Sequence, residues 1–261
     1  MLYRDLAPVN KEAWDEIEER LMEVFKTHLS ARKVVKVEGP KGWDYNVITE
    51  GRLDKVEKES DFCYGNYKVL PLTEARIEFE MSRWELDNIV RGAKDIDYEP
   101  LEKAAKKIAL FEDNAVYNGF KKANIEGLVE AAEREEIKFG NDANSILDSI
   151  AGGLVELRRA YQEGPFILVV GEDAYRKILS QGTNYPLDKQ IKDLTGKEIV
   201  YSHALDGALL VPFNHDDLEL TIGQDLSIGY QSHDNKKVRF FITESFTFRV
   251  LDPSIIVKYK L

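Results

Sequence analysis

Residues 45–69 read YNVITEGRLDKVEKESDFCYGNYKV, two thin strand-like ends around a strongly charged middle, with almost no wide apolar face. A hairpin of this length is marginal alone in water, because a two-stranded ribbon has no second layer to bury a face against. It needs something to lie against, and the flanking chain offers no obvious internal partner. The stretch therefore points away from a self-contained monomer and towards an oligomer.

On its N-terminal side, Asn10 caps a helix carrying Trp14, Ile17, Leu21, Phe25 and Leu29 at three- and four-residue spacing. Glu12, Asp15, Glu16, Glu18 and Glu19 crowd the first half of that helix, where its dipole is positive. A short strand from Val34 to Val37 and the turn cluster EGPKGW follow.

On its C-terminal side, TEARIEFEMS alternates Ala75, Ile77, Phe79 and Met81 with charged or polar residues, a half-buried strand with one charged face. Pro100 opens the longest helix, striped by Leu101, Ala104, Ile108, Phe111, Ala115 and Val116 as far as Gly119. The middle third alternates: a helix over 145–161, the buried strand FILVV from Phe166, helices over 173–179 and 187–194, and strands near Ile199 and Leu209. The last forty residues are strand-rich, with Val238, Phe240 and Ile242 and then Phe246, Phe248 and Val250 on one face, closing with SIIVKY. No internal repeat or low-complexity linker interrupts this order, and periodicity alone reads as a mixed α/β oligomer.

The totals exclude several function classes. With 261 residues and 43% hydrophobic content the chain can build a proper core. Its 47 acidic against 36 basic residues, a formal charge of -11, repel phosphate backbones, so neither nucleic acid nor an anionic membrane is expected as a partner. A lone cysteine, Cys63, leaves no intrachain disulfide and suits a reducing compartment. The start, MLYRDLAPVN, has no apolar run of signal length, so a cytoplasmic location is expected.

A search for chemistry finds no reaction. Of the four histidines (His28, His203, His215, His233), none has an acid three or four residues before it and no two share a helix turn, so no metal site is expected. There is no Gly-x-Ser-x-Gly elbow, phosphate loop or dinucleotide fingerprint. Gly152 and Gly153 lie in a helix pattern and read as close packing. Glu78 and Glu80 share one side of a strand, which reads as a solvated or paired face. IGQDLSIGYQSHD, residues 222–234, brings Asp225, Ser227 and His233 within a few residues, but QSHDN between strands reads as a hairpin turn. No catalytic residue is assigned.

Taken together, ARKVVKVEGPKGW (31–43), LPLTEARIEFEMSRWELDNIVRG (70–92), YEPLEKAAKKIALFEDNAVYNG (98–119), IGQDLSIGY (222–230) and FITESFTFRVLDP (241–253) resemble the encapsulins, shell proteins of microbial nanocompartments. The resemblance runs the length of the chain and implies an α+β fold of the Hong Kong 97 major-capsid type. It implies a peripheral domain over 1–44, 70–134 and 223–261, an extended loop over 45–69 and an axial domain over 135–222. It also implies a structural role without enzymatic activity, in an icosahedral homo-oligomer of roughly sixty subunits, the smallest closed shell of that symmetry.

The resemblance further implies a cargo enzyme, a ferritin-like iron oxidase ahead of a dye-decolourising peroxidase, held by its C-terminal targeting peptide. Carried over, the docking residues are Phe25, Leu29, Arg32, Val37, Asp225, Ile228 and Gly229, and Ile228→Asp is expected to empty the shell without stopping assembly. Thr183, Asn184 and Tyr185 in GTNYPLDK are implied at a five-fold pore, with asparagine where a relative has histidine. Arg76 and Trp84 are implied as a flavin (FMN) site on the outer surface, against which Glu78 stands as a charge repelling the phosphate. The rival expectations are a phage major capsid protein, which shares the fold, and a protease or bacteriocin activity.

Overall fold

The computed structural model describes residues 1–181 and 185–261. Helix α1 (Lys11–His28) starts where the Asn10 side chain accepts the Ala13 N–H at 2.9 Å, and it buries Trp14, Ile17, Leu21 and Phe25. Strand β1 (Lys36–Glu38) follows two residues later than the Val34 start read from the sequence. Val34 and Val35 instead lie buried in the preceding turn.

The next strands, β2 (Val47–Glu59) and β3 (Phe62–Pro71), pair with each other and form a sheet of two. Ile48 is buried at the base, whereas Val56, Phe62, Tyr64, Tyr67 and Val69 are exposed beyond it. The hairpin thus presents apolar side chains that this subunit does not cover.

Strand β4 (Thr73–Ser82) leads into α2 (Arg83–Val90), and α3 (Glu99–Asn118) carries Pro in its first turn, where no N–H is missed. The short α4 (Leu128–Ala131), β5 (Ile137–Lys138) and α5 (Ala143–Arg159) follow. Asp142 and Ser145 close a reciprocal capping box at the start of α5. Then come β6 (Phe166–Val170), α6 (Glu172–Leu179), α7 (Leu187–Thr195), β7 (Val200–Tyr201), β8 (Ala208–Pro212) and β9 (Leu218–Ile222). The chain ends with β10 (Ser227–His233), the long β11 (Lys237–Val250) and β12 (Val257–Lys260).

Two five-stranded sheets organise these elements. In the first, β11 pairs antiparallel with β4, β10 and β9, and β9 pairs parallel with β1. Helices α1 and α3 pack on this sheet through Trp14, Phe25, Leu101, Ile108, Phe79, Phe240 and Ile242. Trp14 meets Phe240 edge-on at 5.3 Å between ring centres. The second sheet runs β5-β12-β8-β6-β7, with β6 and β8 buried along their whole length.

The sheets cross the domain ranges expected from the sequence. Strand β9, inside 135–222, belongs to the first sheet, while β12, inside 223–261, pairs with β5 and β8 in the second. The chain therefore crosses between sheets twice near its end, and this stitches the two layers together. Gly153 on α5 supports that closure: a Cβ there would stand 2.1 Å from the Tyr259 hydroxyl of β12, whereas Gly152 faces open space. The glycine pair is half packing and half surface.

Candidate docking face and assembly surfaces

The face that α1 shares with the start of β10 is built around Arg32, which follows the helix in a tight turn. The carboxylate of Asp113 on α3 fixes that turn by accepting the Ser30 and Ala31 N–H groups at 3.0 and 2.9 Å. Burial pushes the Asp113 carboxyl up to about 6, against the pull of these hydrogen bonds.

From the turn, the Arg32 guanidinium reaches into the protein. Its Nε donates to both oxygens of Glu112 on α3, at 2.8 and 3.0 Å, and Nη1 donates to Asp225 at 2.8 Å. Nη2 lies 3.6 Å from Glu244 of β11. Glu112 and Glu244 are fully buried, whereas 42% of the Asp225 side chain is exposed.

Three acids therefore surround one cation, in a site too dry to hold all of their charge. Burial opposes the Arg32 charge, but the bonds to Glu112 and Asp225 outweigh it and raise the guanidinium above its ordinary value. Burial first, and then the negative charge of Glu112, hold the Glu244 carboxyl well above the carboxylate range. Neither Glu244 oxygen has a hydrogen-bond partner among the described residues. Of the three acids, Glu244 is the one whose charged form burial most disfavours.

Of the seven expected docking residues, three have their side chains in the core. Phe25, Leu29 and Ile228 are 3%, 8% and 1% exposed and pack in one cluster with Trp14, Phe79 and Phe240. Gly229 is buried, and it is a glycine for a packing reason: a Cβ there would stand 2.3 Å from the Phe241 ring. Val37 is half-buried against the core. Only Arg32 and Asp225 bring charge to the face.

Asp225, Ser227 and His233 are not assembled for catalysis. Ser227 donates its hydroxyl to the Asp225 carbonyl at 2.7 Å, while His233 pairs with the Tyr230 hydroxyl at 2.6 Å. Asp234 in the following turn accepts the N–H groups of Lys236 and Lys237, so a hairpin turn is present but starts at Asp234, with Gln231, Ser232 and His233 of the expected turn inside β10. On the opposite face of β4, Glu80 is bound by Lys237 and Arg239, with Glu78 3.9 Å from Arg239.

Arg76 lies on β4 and Trp84 on α2, and each is stacked on a different partner. Six residues of extended strand, about 20 Å, lie between Arg76 and the end of β4, and Trp84 follows in α2. Arg76 sits over the Phe241 ring at 4.3 Å and Trp84, 69% exposed, lies under Arg91 at 5.4 Å. Of the expected pore residues, Thr183 and Asn184 lie outside the described residues, and Tyr185 bonds to Asp193 at 3.3 Å. Among the described residues no group of three or more His, Cys, Asp or Glu could hold a metal ion, and no helix is long and apolar enough to cross a membrane.

Two features of this face went unread in the sequence. Glu112 and Glu244 each occupy a gap in an apolar stripe: Ile108, Glu112, Ala115 on α3, and Ile242, Glu244, Phe246 on β11. A glutamate on a core stripe is a legible signal of a buried partner. Residues 1–4, the second feature, carry no such signal.

Comparison with known proteins follows from this geometry. A family model described as "Encapsulating protein for peroxidase" matches residues 1–247. A type 1 encapsulin shell protein of Rhodococcus erythropolis is 37% identical over 258 residues, covering 98% of both chains. Among solved structures, a virus-like particle from Pyrococcus furiosus superimposes with a TM-score of 0.67 at 18% identity, covering 94% of this chain and 98% of that one. The capsid of an empty gene-transfer-agent (GTA) particle follows at 0.58 and 14%, covering 89% and 90%. The fold is thus the Hong Kong 97 capsid type, and its sequence relatives share this chain from end to end. The chain belongs to the type 1 encapsulin shell proteins, a family whose role is structural rather than enzymatic.

Proposed function

We propose that the chain assembles with copies of itself into a closed icosahedral shell of roughly sixty subunits or more that encloses a cargo enzyme. The observation that carries assembly is the β2–β3 hairpin. Its exposed Val56, Phe62, Tyr64, Tyr67 and Val69 make a two-stranded ribbon untenable in isolation and suited to a neighbouring subunit. Obligate interfaces of this kind bury on the order of 2,000–5,000 Å². Expressed alone, the protein should give uniform hollow particles in negative-stain electron microscopy. Small oligomers only, across several buffers, would overturn this reading.

The cargo we infer is a ferritin-like iron oxidase, with a dye-decolourising peroxidase as the second reading, each bringing a C-terminal tail to the α1–β10 face. That face offers a strand edge at β10 and the Arg32–Asp225 pair, a combination suited to the backbone and a polar group of an extended peptide. A flavin is proposed as a stack on the exposed Trp84, with Arg76 as the partner of its phosphate. Purified shells would then absorb visible light, and Trp84→Ala would bleach them. Colourless wild-type shells would remove the flavin.

A further inference from the structure

Among the described residues, β10 pairs with one strand only, β11. Its opposite edge is not bare. The Tyr230 N–H donates to the Leu2 carbonyl at 2.8 Å, and the Ile228 carbonyl accepts from Arg4 Nε at 2.9 Å. Residues 1–4 therefore satisfy edge groups that a second strand beside β10 would otherwise take.

Apart from the Leu2–Tyr230 bond, the segment is held by Arg4. Besides the Ile228 carbonyl, its guanidinium pairs with Glu18 of α1 and lies over the Trp14 ring at 5.0 Å. Apolar burial contributes little: Met1, Tyr3 and Leu6 are 66%, 60% and 68% exposed. Tyr3 has a φ of 52°, in the left-handed region that disfavours a residue with a side chain. Only from Ala7 onwards does the chain pack against the core cluster. A segment held by two backbone contacts to one strand edge and the Arg4–Glu18 pair, with little apolar burial, sits at the low-stability end of a protein.

We propose that residues 1–4 are a displaceable strap, a stand-in strand on the free edge of β10 whose place an extended cargo tail takes. This rests on the docking reading above, since both would use the backbone of Ile228 and Tyr230. A tail entering at Asp225 and running along β10 meets the strap after three residues. It binds by strand addition only once Leu2 and Arg4 have left. The strap lowers the apparent affinity by the fraction of subunits in which the edge is open, so it excludes weak peptides and passes a strong one.

The probe is a fluorescently labelled peptide of residues 1–6, MLYRDL, added to assembled particles. Particles lacking residues 2–5 should bind it about tenfold more tightly than wild type, with Arg4→Ala between them. The amide of Tyr230 should exchange hydrogen faster in Arg4→Ala than in wild type, and be protected again once co-expressed cargo is loaded. Equal binding by all three particles, or unchanged exchange at Tyr230, overturns the strap. If Asp225→Lys abolishes loading while Arg4→Ala leaves it and the peptide binding unchanged, the strap is wrong and the docking face stands. If neither substitution alters loading, the docking reading falls and takes the strap with it.

Discussion

Ile228→Asp abolishes the shell rather than its loading. Ile228 is 1% exposed, in one cluster with Phe25, Leu29, Phe79 and Phe240, and no cation lies among those neighbours to receive a carboxylate. An ionised aspartate there would be buried without a partner, which places the substitution in the class that costs more than about 4 kcal/mol. Native stability amounts to only about 5–15 kcal/mol. The chain should therefore appear in the insoluble fraction, with no particles by electron microscopy. Ile228→Val, which removes one methyl, should cost about 1 kcal/mol and assemble normally. Empty but intact Ile228→Asp particles would show that the side chain faces a groove and would reverse this assignment.

The same residue shows where the sequence stopped being legible. A strand's period of two says which residues share a face, and on β10 it places Ile228 and Tyr230 together. It does not say whether that face meets a helix of the same chain or an incoming peptide, because both demand apolar side chains. Several elements were read nearly to the residue, α3 from Pro100, α6 and α7 from their stripes and β6 from five consecutive apolar residues, whereas the short α2 and α4 went unread. Such patterns are local, and burial rewards them directly.

Pairing between distant strands was harder to read. Strands β9 and β12 each carry a short apolar pattern compatible with either sheet, and only their long-range partners, β1 and β11 for β9 and β5 and β8 for β12, decide between them. The hairpin was legible for the opposite reason. Its missing apolar face is a property of the sequence itself, and the structure leaves its side chains as exposed as that absence demanded.

Arg32→Met should cost about 3–5 kcal/mol at neutral pH, the price of leaving a buried carboxylate without its cation. The loss belongs to Glu112, which accepts two bonds from Arg32 Nε and has no exposed surface, far more than to the half-solvated Asp225. Glu244 adds little at neutral pH because burial already keeps its proton on. The pH dependence discriminates between lost charge pairing and lost packing. A carboxyl whose folded pKa is raised favours the folded state fully below its unfolded value, and that advantage disappears as pH rises through the folded value. In the variant the cation that faced Glu112 and Glu244 is gone, so the folded state holds more unpaired buried negative charge at pH 7 than at pH 5. The gap in thermal midpoint between wild type and Arg32→Met should thus be wide at pH 7 and narrow towards pH 5, and adding Glu112→Gln should close much of it at pH 7. The methionine fills most of the stem of the arginine, so packing changes little. A gap of equal size at both pH values, untouched by Glu112→Gln, would mean that Arg32 serves the fold through its methylenes alone, and that the three acids around it carry no net charge to neutralise.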